Sequence, residues 1–138
     1  MNIHERLKRE LKPQGYSTTE PRRLVCETLG EHGPMTMREL VAQIEAYVDR
    51  ASVYRIVNLF ERLGIIRRIP LGWKYKLELS DKFTDHHHHA HCRMCGKIVT
   101  LDEDSALERA IEKTAENASF AVEEHHLEMR GVCGDCQG

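Results

Sequence analysis

The chain has 138 residues with 20 Lys+Arg, 22 Asp+Glu and nine His, a formal net charge of −2, and 41% of its residues are hydrophobic. That is an ordinary balance for a folded protein of one domain or two small ones. No apolar run approaches the ~20 residues that span a bilayer. Residues 1–11 carry His4, Glu5, Arg6, Lys8, Arg9 and Glu10 where a signal peptide needs an apolar stretch, so no membrane partner and a cytoplasmic, reducing setting are expected.

Residues 2–12 read as a short amphipathic helix ended by Pro13 and Gly15. Thr19 offers an N-cap with Pro21 in the first turn, and Leu24, Val25, Thr28 and Leu29 form one apolar face up to the break at residues 30–34. Thr36 and Glu39 have the spacing of a capping box, with Leu40, Val41 and Ile44 as the core stripe of the helix behind it. A third helix is expected over residues 50–63, with Val53, Ile56, Val57, Phe60 and Leu63 inward and Ser52, Tyr54, Arg55, Asn58 and Arg62 outward. Hydroxyl, phenol, guanidinium and amide groups on an outward helix face are the groups that reach phosphates and base edges. After Gly64, residues 65–69 and 73–79 read as two strands around a Pro70-Leu71-Gly72 turn. Three helices plus a basic hairpin make a winged helix-turn-helix, with Arg67, Arg68, Lys74 and Lys76 placed to meet a phosphate backbone.

Charge divides at the same place. Residues 1–80 hold 14 Lys+Arg against 10 Asp+Glu, a balance of +4, whereas residues 81–138 hold 6 against 12, a balance of −6. The near-neutral total therefore conceals a front half suited to a polyanion and a back half that is not. The expected fold class is α+β: a winged-helix DNA-binding domain over residues 1–80, a hinge over 81–85, and a small α/β, strand-helix-strand, dimerisation domain over 86–138. In that second part residues 97–101 read as a strand, Asp102 or Asp104 caps a helix, and residues 120–132 read as a second strand that carries His125 on one face with Leu127 and Met129. So few residues hold too small a core to stand without metal or oligomerisation, and a homodimer supplies the missing burial.

The strongest chemistry lies in His86-His87-His88-His89-Ala90-His91-Cys92-Arg93-Met94-Cys95, answered near the C-terminus by Cys133-Gly134-Asp135-Cys136. Two CxxC pairs close a tetrahedral four-thiolate Zn²⁺ site, and in a reducing compartment metal is favoured over disulfide. Cys26 is read as a small apolar filler on a helix. The histidines remain as spare ligands for something else. Neither His-Glu-x-x-His, nor His-x-Glu ahead of Pro-Cys-x-x-Cys, nor a Gly-rich phosphate loop, nor Gly-x-Ser-x-Gly occurs, so an enzyme is not expected.

Thr19-Glu20-Pro21-Arg22, Ala51-Ser52-Val53-Tyr54-Arg55 and the unbroken run from His86 through Cys92, Cys95, Gly96 and Lys97 together resemble the ferric uptake regulator (Fur) family of metal-sensing repressors. The match to its His-His-Asp-His-x-x-Cys-x-x-Cys-Gly-Lys pattern is the most specific of the three. The resemblance implies a homodimeric repressor of metal-homeostasis genes that binds operator DNA through Ser52, Tyr54, Arg55, Asn58, Arg67, Arg68 and Lys74. It implies structural zinc on Cys92, Cys95, Cys133 and Cys136. It also implies regulatory ligands in two sets: His87 and His89 with Glu78 and the loop histidine His32, and His86 and His88 with His125 and the helix acid Glu108. His88 stands where the family often has Asp, and nitrogen in place of oxygen favours zinc-like ions, as in the family's zinc-sensing members; Zn²⁺, Fe²⁺ and Mn²⁺ are all candidates. Two other readings carry different expectations. A peroxide-sensing repressor of the same family would oxidise its own histidines, and a zinc scaffold that binds another protein would have no affinity for DNA.

Overall fold

The computed structural model describes all residues, Met1–Gly138, in two compact units, Met1–Asp85 and His86–Gly138.

The first unit opens with α1 (Ile3–Leu11), where the Asn2 side chain accepts the Glu5 N–H at 2.9 Å and the Glu5 carboxylate accepts the Asn2 N–H at 3.1 Å. This capping box satisfies two of the donors that a helix start leaves open. A 3-10 turn, Lys12–Gln14, follows, and Gly15 adopts the left-handed conformation (φ 84°) that turns the chain away. Next come α2 (Glu20–His32), capped by Thr19, and α3 (Met37–Ile44), capped by Thr36 through the Glu39 N–H. Then α4 (Arg50–Arg62) starts from Asp49, whose carboxylate accepts both the N–H and the hydroxyl of Ser52 at 3.0 and 2.6 Å.

The hairpin consists of β1 (Ile66–Leu71) and β2 (Lys74–Leu79), paired antiparallel with Leu71 opposite Lys74. The turn is therefore Gly72-Trp73, and the expectation of a Pro70-Leu71-Gly72 turn is corrected. Pro70 lies inside β1 opposite Tyr75, which is tolerable because a strand of a two-stranded sheet always has an open edge. Gly72 (φ 70°) takes the first central position, the Gly-first pattern of a type II′ hairpin loop. Met35 exchanges backbone hydrogen bonds with Leu77 at 2.9 and 2.6 Å, which fixes the hairpin beneath the helices.

The core of this unit includes Leu7, Leu11, Val25, Leu29, Leu40, Ile44, Val53, Phe60, Ile65 and Leu77. Residues 81–85, expected as a hinge, are folded onto the same unit. Lys82 Nζ reaches Glu10 at 3.0 Å, Arg6 donates to the Lys82 carbonyl at 3.3 Å, and Phe83 packs on the core.

The second unit is a three-stranded sheet in the order β4-β3-β5 with one helix. Its elements are β3 (His87–Cys92), β4 (Ile98–Asp102), α5 (Ser105–Asn117) and β5 (Glu128–Gly131). Asp104, not Asp102, caps α5 by accepting the Ala106 and Leu107 N–H groups. Two expectations are corrected. The histidine run is itself the central strand, so the unit has one strand more than strand-helix-strand. Strand structure near the C-terminus covers only Glu128–Gly131, because Glu123, Glu124, His125 and His126 interrupt apolar alternation. His125 thus projects from an irregular segment and does not share a strand face with Met129. No residue of α5 is buried, and Val99, Phe120, Val122 and Met129 are exposed, as a small core predicts.

Candidate functional site

Parallel pairing of β3 with β5 sets Cys92 opposite Gly131, and this brings the two CxxC loops together. Cys92 ends β3, and Gly96 (φ 78°) folds its loop back so that the Gly96 N–H meets the Cys92 carbonyl at 3.0 Å. Cys133 caps the start of a 3-10 turn, Gly134–Cys136, and Cys136 ends it. All four Sγ atoms lie within 4.8 Å of one another, and Cys95 and Cys133 are 3.8 Å apart. A disulfide needs about 2.05 Å, so these are free thiols. Zn–S bonds of ~2.3 Å make a tetrahedron with S–S edges of about 3.8 Å, so the sulfur set fits a zinc ion. The Cys133 N–H donates to Cys92 Sγ at 3.3 Å. That bond, with the backbone N–H of Cys95, pulls the Cys92 thiol down to about 5, whereas hydrogen bonds that the Cys136 thiol donates towards Cys133 and Cys95 push it up to about 12. A cation held by this cluster would stabilise several thiolates at once.

Strand alternation sorts the histidines onto two faces. On one face His86 and His88 (ring centroids 4.7 Å apart) meet His125 and Glu108. Glu108 is the hub: its carboxylate lies 2.7 Å from His88 Nε2, 3.3 Å from His86 Nε2 and 2.5 Å from His125 Nε2. Burial opposes the charge on Glu108, but the His88 hydrogen bond and the nearby His125 and His86 outweigh it and lower its pKa. Glu108 reaches the cluster because it lies in the first turn of α5. His88 has a second constraint. Its Nδ1 accepts the Leu127 N–H at 3.1 Å, so the proton of the neutral ring is on Nε2, aimed at Glu108. His86, His125 and Glu108 are therefore ready donors for a divalent ion, whereas His88 as found holds Glu108 in place and can ligate through Nε2 only by giving up that proton.

On the other face His87 and His89 stack edge to face at 4.8 Å, and His89, fully buried, has Nδ1 3.5 Å from Glu128. In the first unit Glu78 is buried in β2 opposite Arg67 of β1, whose Nη2 is 2.5 Å away. His32 lies at the C-terminal end of α2 with Nδ1 3.0 Å from the Thr28 carbonyl, and it is in none of these clusters. His91, half-buried, also belongs to no cluster.

On α4, Tyr54, Arg55 and Asn58 are exposed in one row. Arg50 lies over the Tyr54 ring at 5.6 Å and Arg55 donates to Ser52 Oγ at 2.9 Å, so Ser52 is engaged within the helix start. Two hairpin arginines are not free cations as expected. Arg67 turns inward, only 12% exposed, against Glu78. Arg68 makes a two-pronged bond to Glu61 of α4 at 2.8 and 3.0 Å while covering the Tyr75 ring at 4.1 Å. Lys74 remains exposed. The Asn2 and Asp49 caps, the Arg67–Glu78 pair and the β3 strand are the features that sequence reasoning missed. Asp49 one residue before the third helix was the signal available for its cap.

Comparison with known proteins gives a consistent result. The sequence profile of the Ferric uptake regulator family matches residues 13–130. A Ferric uptake regulation protein of Campylobacter jejuni is 33% identical over 139 residues, covering 96% of this chain and 87% of that protein. Among solved structures, the ferric uptake regulator of Helicobacter pylori, described with three functional metal binding sites, superposes with a TM-score of 0.79 at 26% identity over 99% of this chain and 92% of its own. That of Vibrio cholerae does so with 0.73 at 27% identity, over 92% and 99%.

Proposed function

Because the chain belongs to the ferric uptake regulator family of metal-responsive transcriptional regulators, we propose that it is a cytoplasmic repressor of metal-homeostasis genes. It binds operator DNA as a homodimer when a regulatory divalent ion is loaded. The observation that carries the metal-responsive reading is the convergence of three imidazoles on the Glu108 carboxylate, a donor set suited to Zn²⁺ and also able to take Fe²⁺ or Mn²⁺.

Cys92, Cys95, Cys133 and Cys136 hold structural zinc, which cross-links the loops that follow the adjacent ends of β3 and β5. His86, His125 and Glu108 form one regulatory set with His88 beside them, and His87 and His89 supply imidazoles for another. An ion that binds one conformation of the protein better than another shifts the population towards it, so ion capture and DNA affinity become linked. Tyr54, Arg55 and Asn58 on α4 enter the major groove, and Lys74 meets the phosphate backbone. Exposed Val99, Phe120, Val122 and Met129 supply apolar surface for the twofold contact.

Selection of duplexes from random-sequence DNA by the zinc-loaded protein tests the reading. The expected product is a palindrome whose half-sites match a twofold dimer. Recovery of no enriched sequence and no affinity above that for bulk DNA contradicts it and favours a protein-binding scaffold.

A further inference from the structure

Of the histidines around Glu108, His88 alone is fully buried, at 1% exposure on the central strand of the sheet, and both of its ring nitrogens are engaged. We propose that His88 is a positioning residue and not a ligand, so that the ion of this cluster is held by three protein donors, His86, His125 and Glu108, and keeps a coordination position open to water or a small anion. The inference rests on the metal-binding reading above and deepens it, by naming the donors and a further ligand class.

The argument starts from the polarity of the ring. A histidine that ligates through one nitrogen carries its hydrogen on the other and donates it, commonly to a carboxylate or a carbonyl. His88 has the opposite arrangement. Its Nδ1 meets the Leu127 N–H at 3.1 Å, a group that can only donate, so the Nδ1 lone pair is spent there. Its Nε2 lies 2.7 Å from Glu108 Oε1 and supplies the hydrogen that the carboxylate accepts. His88 could offer a lone pair to an ion only by breaking one of these bonds, and burial makes each costly to leave unmade. What the ring does instead is hold the carboxylate. Ligating carboxylates are themselves fixed by an outer hydrogen bond, and with Oε1 held by His88 the other oxygen, Oε2, faces His125 Nε2. The three remaining donors already stand near the spacing of an ion's ligands. His86 Nε2 is 3.1 Å from His125 Nε2 and 3.3 Å from Glu108 Oε1, against a donor–donor edge of about 3.3 Å for a tetrahedral ion with bonds of about 2.0–2.1 Å. Exposure divides the residues in the same way. The His86 and His125 side chains are 21% and 26% exposed, so the donors border on solvent while the positioning ring does not. Two imidazoles and a carboxylate are a set that leaves the fourth position of zinc for an exogenous ligand.

The test uses the full-length protein with zinc retained on its cysteines. Long-range proton–nitrogen correlation spectra report which nitrogen of each imidazole bears a hydrogen. On loading with Zn²⁺, His88 is expected to keep its hydrogen on Nε2 and none on Nδ1, while one nitrogen of His86 and one of His125 shift to metal-bound positions. With Co²⁺ as the probe, azide is expected to change the visible spectrum of the wild type and of His88→Gln, whose amide supplies both an acceptor and a donor, and not that of His86→Ala. Ion affinity is expected to fall about 10- to 100-fold in His88→Ala, to recover in His88→Gln, and to fall further in His86→Ala and Glu108→Ala. Transfer of the His88 hydrogen to Nδ1 on loading, a spectrum indifferent to azide, or a loss in His88→Gln as large as in His86→Ala overturns the inference and leaves the metal reading standing. If the wild type takes up no ion beyond the one on its cysteines, both fall.

Discussion

Arg67 illustrates how one residue changes meaning between sequence and structure. Read along the chain it is one of several wing cations. In the fold it is the cross-strand partner of Glu78, and with side-chain exposures of 12% and 6% the pair is largely withdrawn from water. A buried ion pair contributes little net stability, but removing one member strands the other in a poor medium. Arg67→Met is expected to destabilise the first unit by about 3 kcal/mol, read as a lowered urea midpoint, while leaving the salt slope of DNA binding unchanged. A reduced slope with unaltered stability would show that Arg67 serves as a phosphate contact instead. Asp49 makes a complementary point about pH. Its hydrogen bonds with Ser52 hold its pKa below the ordinary 3.8, so its contribution to α4 is complete above that ordinary value and is lost as pH falls through the lower folded one. Asp49→Asn keeps an oxygen for the cap and removes the titration, and its acid-unfolding curve should be flatter than that of the wild type below about pH 4. Superimposable curves would remove Asp49 from that account.

Local periodicity made the helices legible and left the strands less so. In α4 the buried residues Val53, Ile56, Val57 and Phe60 follow the 3.6-residue repeat, so the outward row could be named before any coordinates. The hairpin could be recognised but not its register. A turn at residues 70–72 would set Arg67 opposite Tyr75, whereas the true Gly72-Trp73 turn sets it opposite Glu78, and no property of β1 alone distinguishes the two. The strand β3 was hidden for a different reason: a run of histidines has neither apolar alternation nor β-branched residues, and only pairing with β4 and β5 makes it extended. The cysteine spacing was readable because a CxxC loop is a local device. The role of Glu108 does not follow from local periodicity, because a shift of one residue along a helix turns a side chain by about 100°, and only the placement of α5 decides which face meets His88. At this scale the reading helix makes a specific demand. Tyr54→Ala or Arg55→Ala should each weaken operator binding about 5- to 100-fold with unchanged melting. Phe60→Ala, at a fully buried position, should instead lower the stability of the first unit by about 3–5 kcal/mol. Operator affinity unchanged in both surface variants would show that α4 is not the reader.

For the whole molecule, the two units carry different kinds of stability. The first has a continuous apolar core and needs no ion to explain its fold. The second, with an exposed sheet surface, a helix without buried residues and four free thiols in one cluster, is the part that metal and a second copy would stabilise on the proposed reading. The charge division follows the same line, basic in the part proposed to bind DNA and acidic in the part proposed to bind cations. The central claim is that a regulatory ion, distinct from the sulfur-held one, raises affinity for DNA. Fluorescence anisotropy of a labelled operator, titrated with protein that retains its cysteine-bound zinc, measures this directly when free divalent ion is buffered first to nil and then to saturation. The account predicts that affinity rises about 5- to 150-fold on loading and that His86→Ala, His125→Ala or Glu108→Ala reduces the gain. Equal affinity with and without the ion, at full occupancy of the cysteine site, would contradict it.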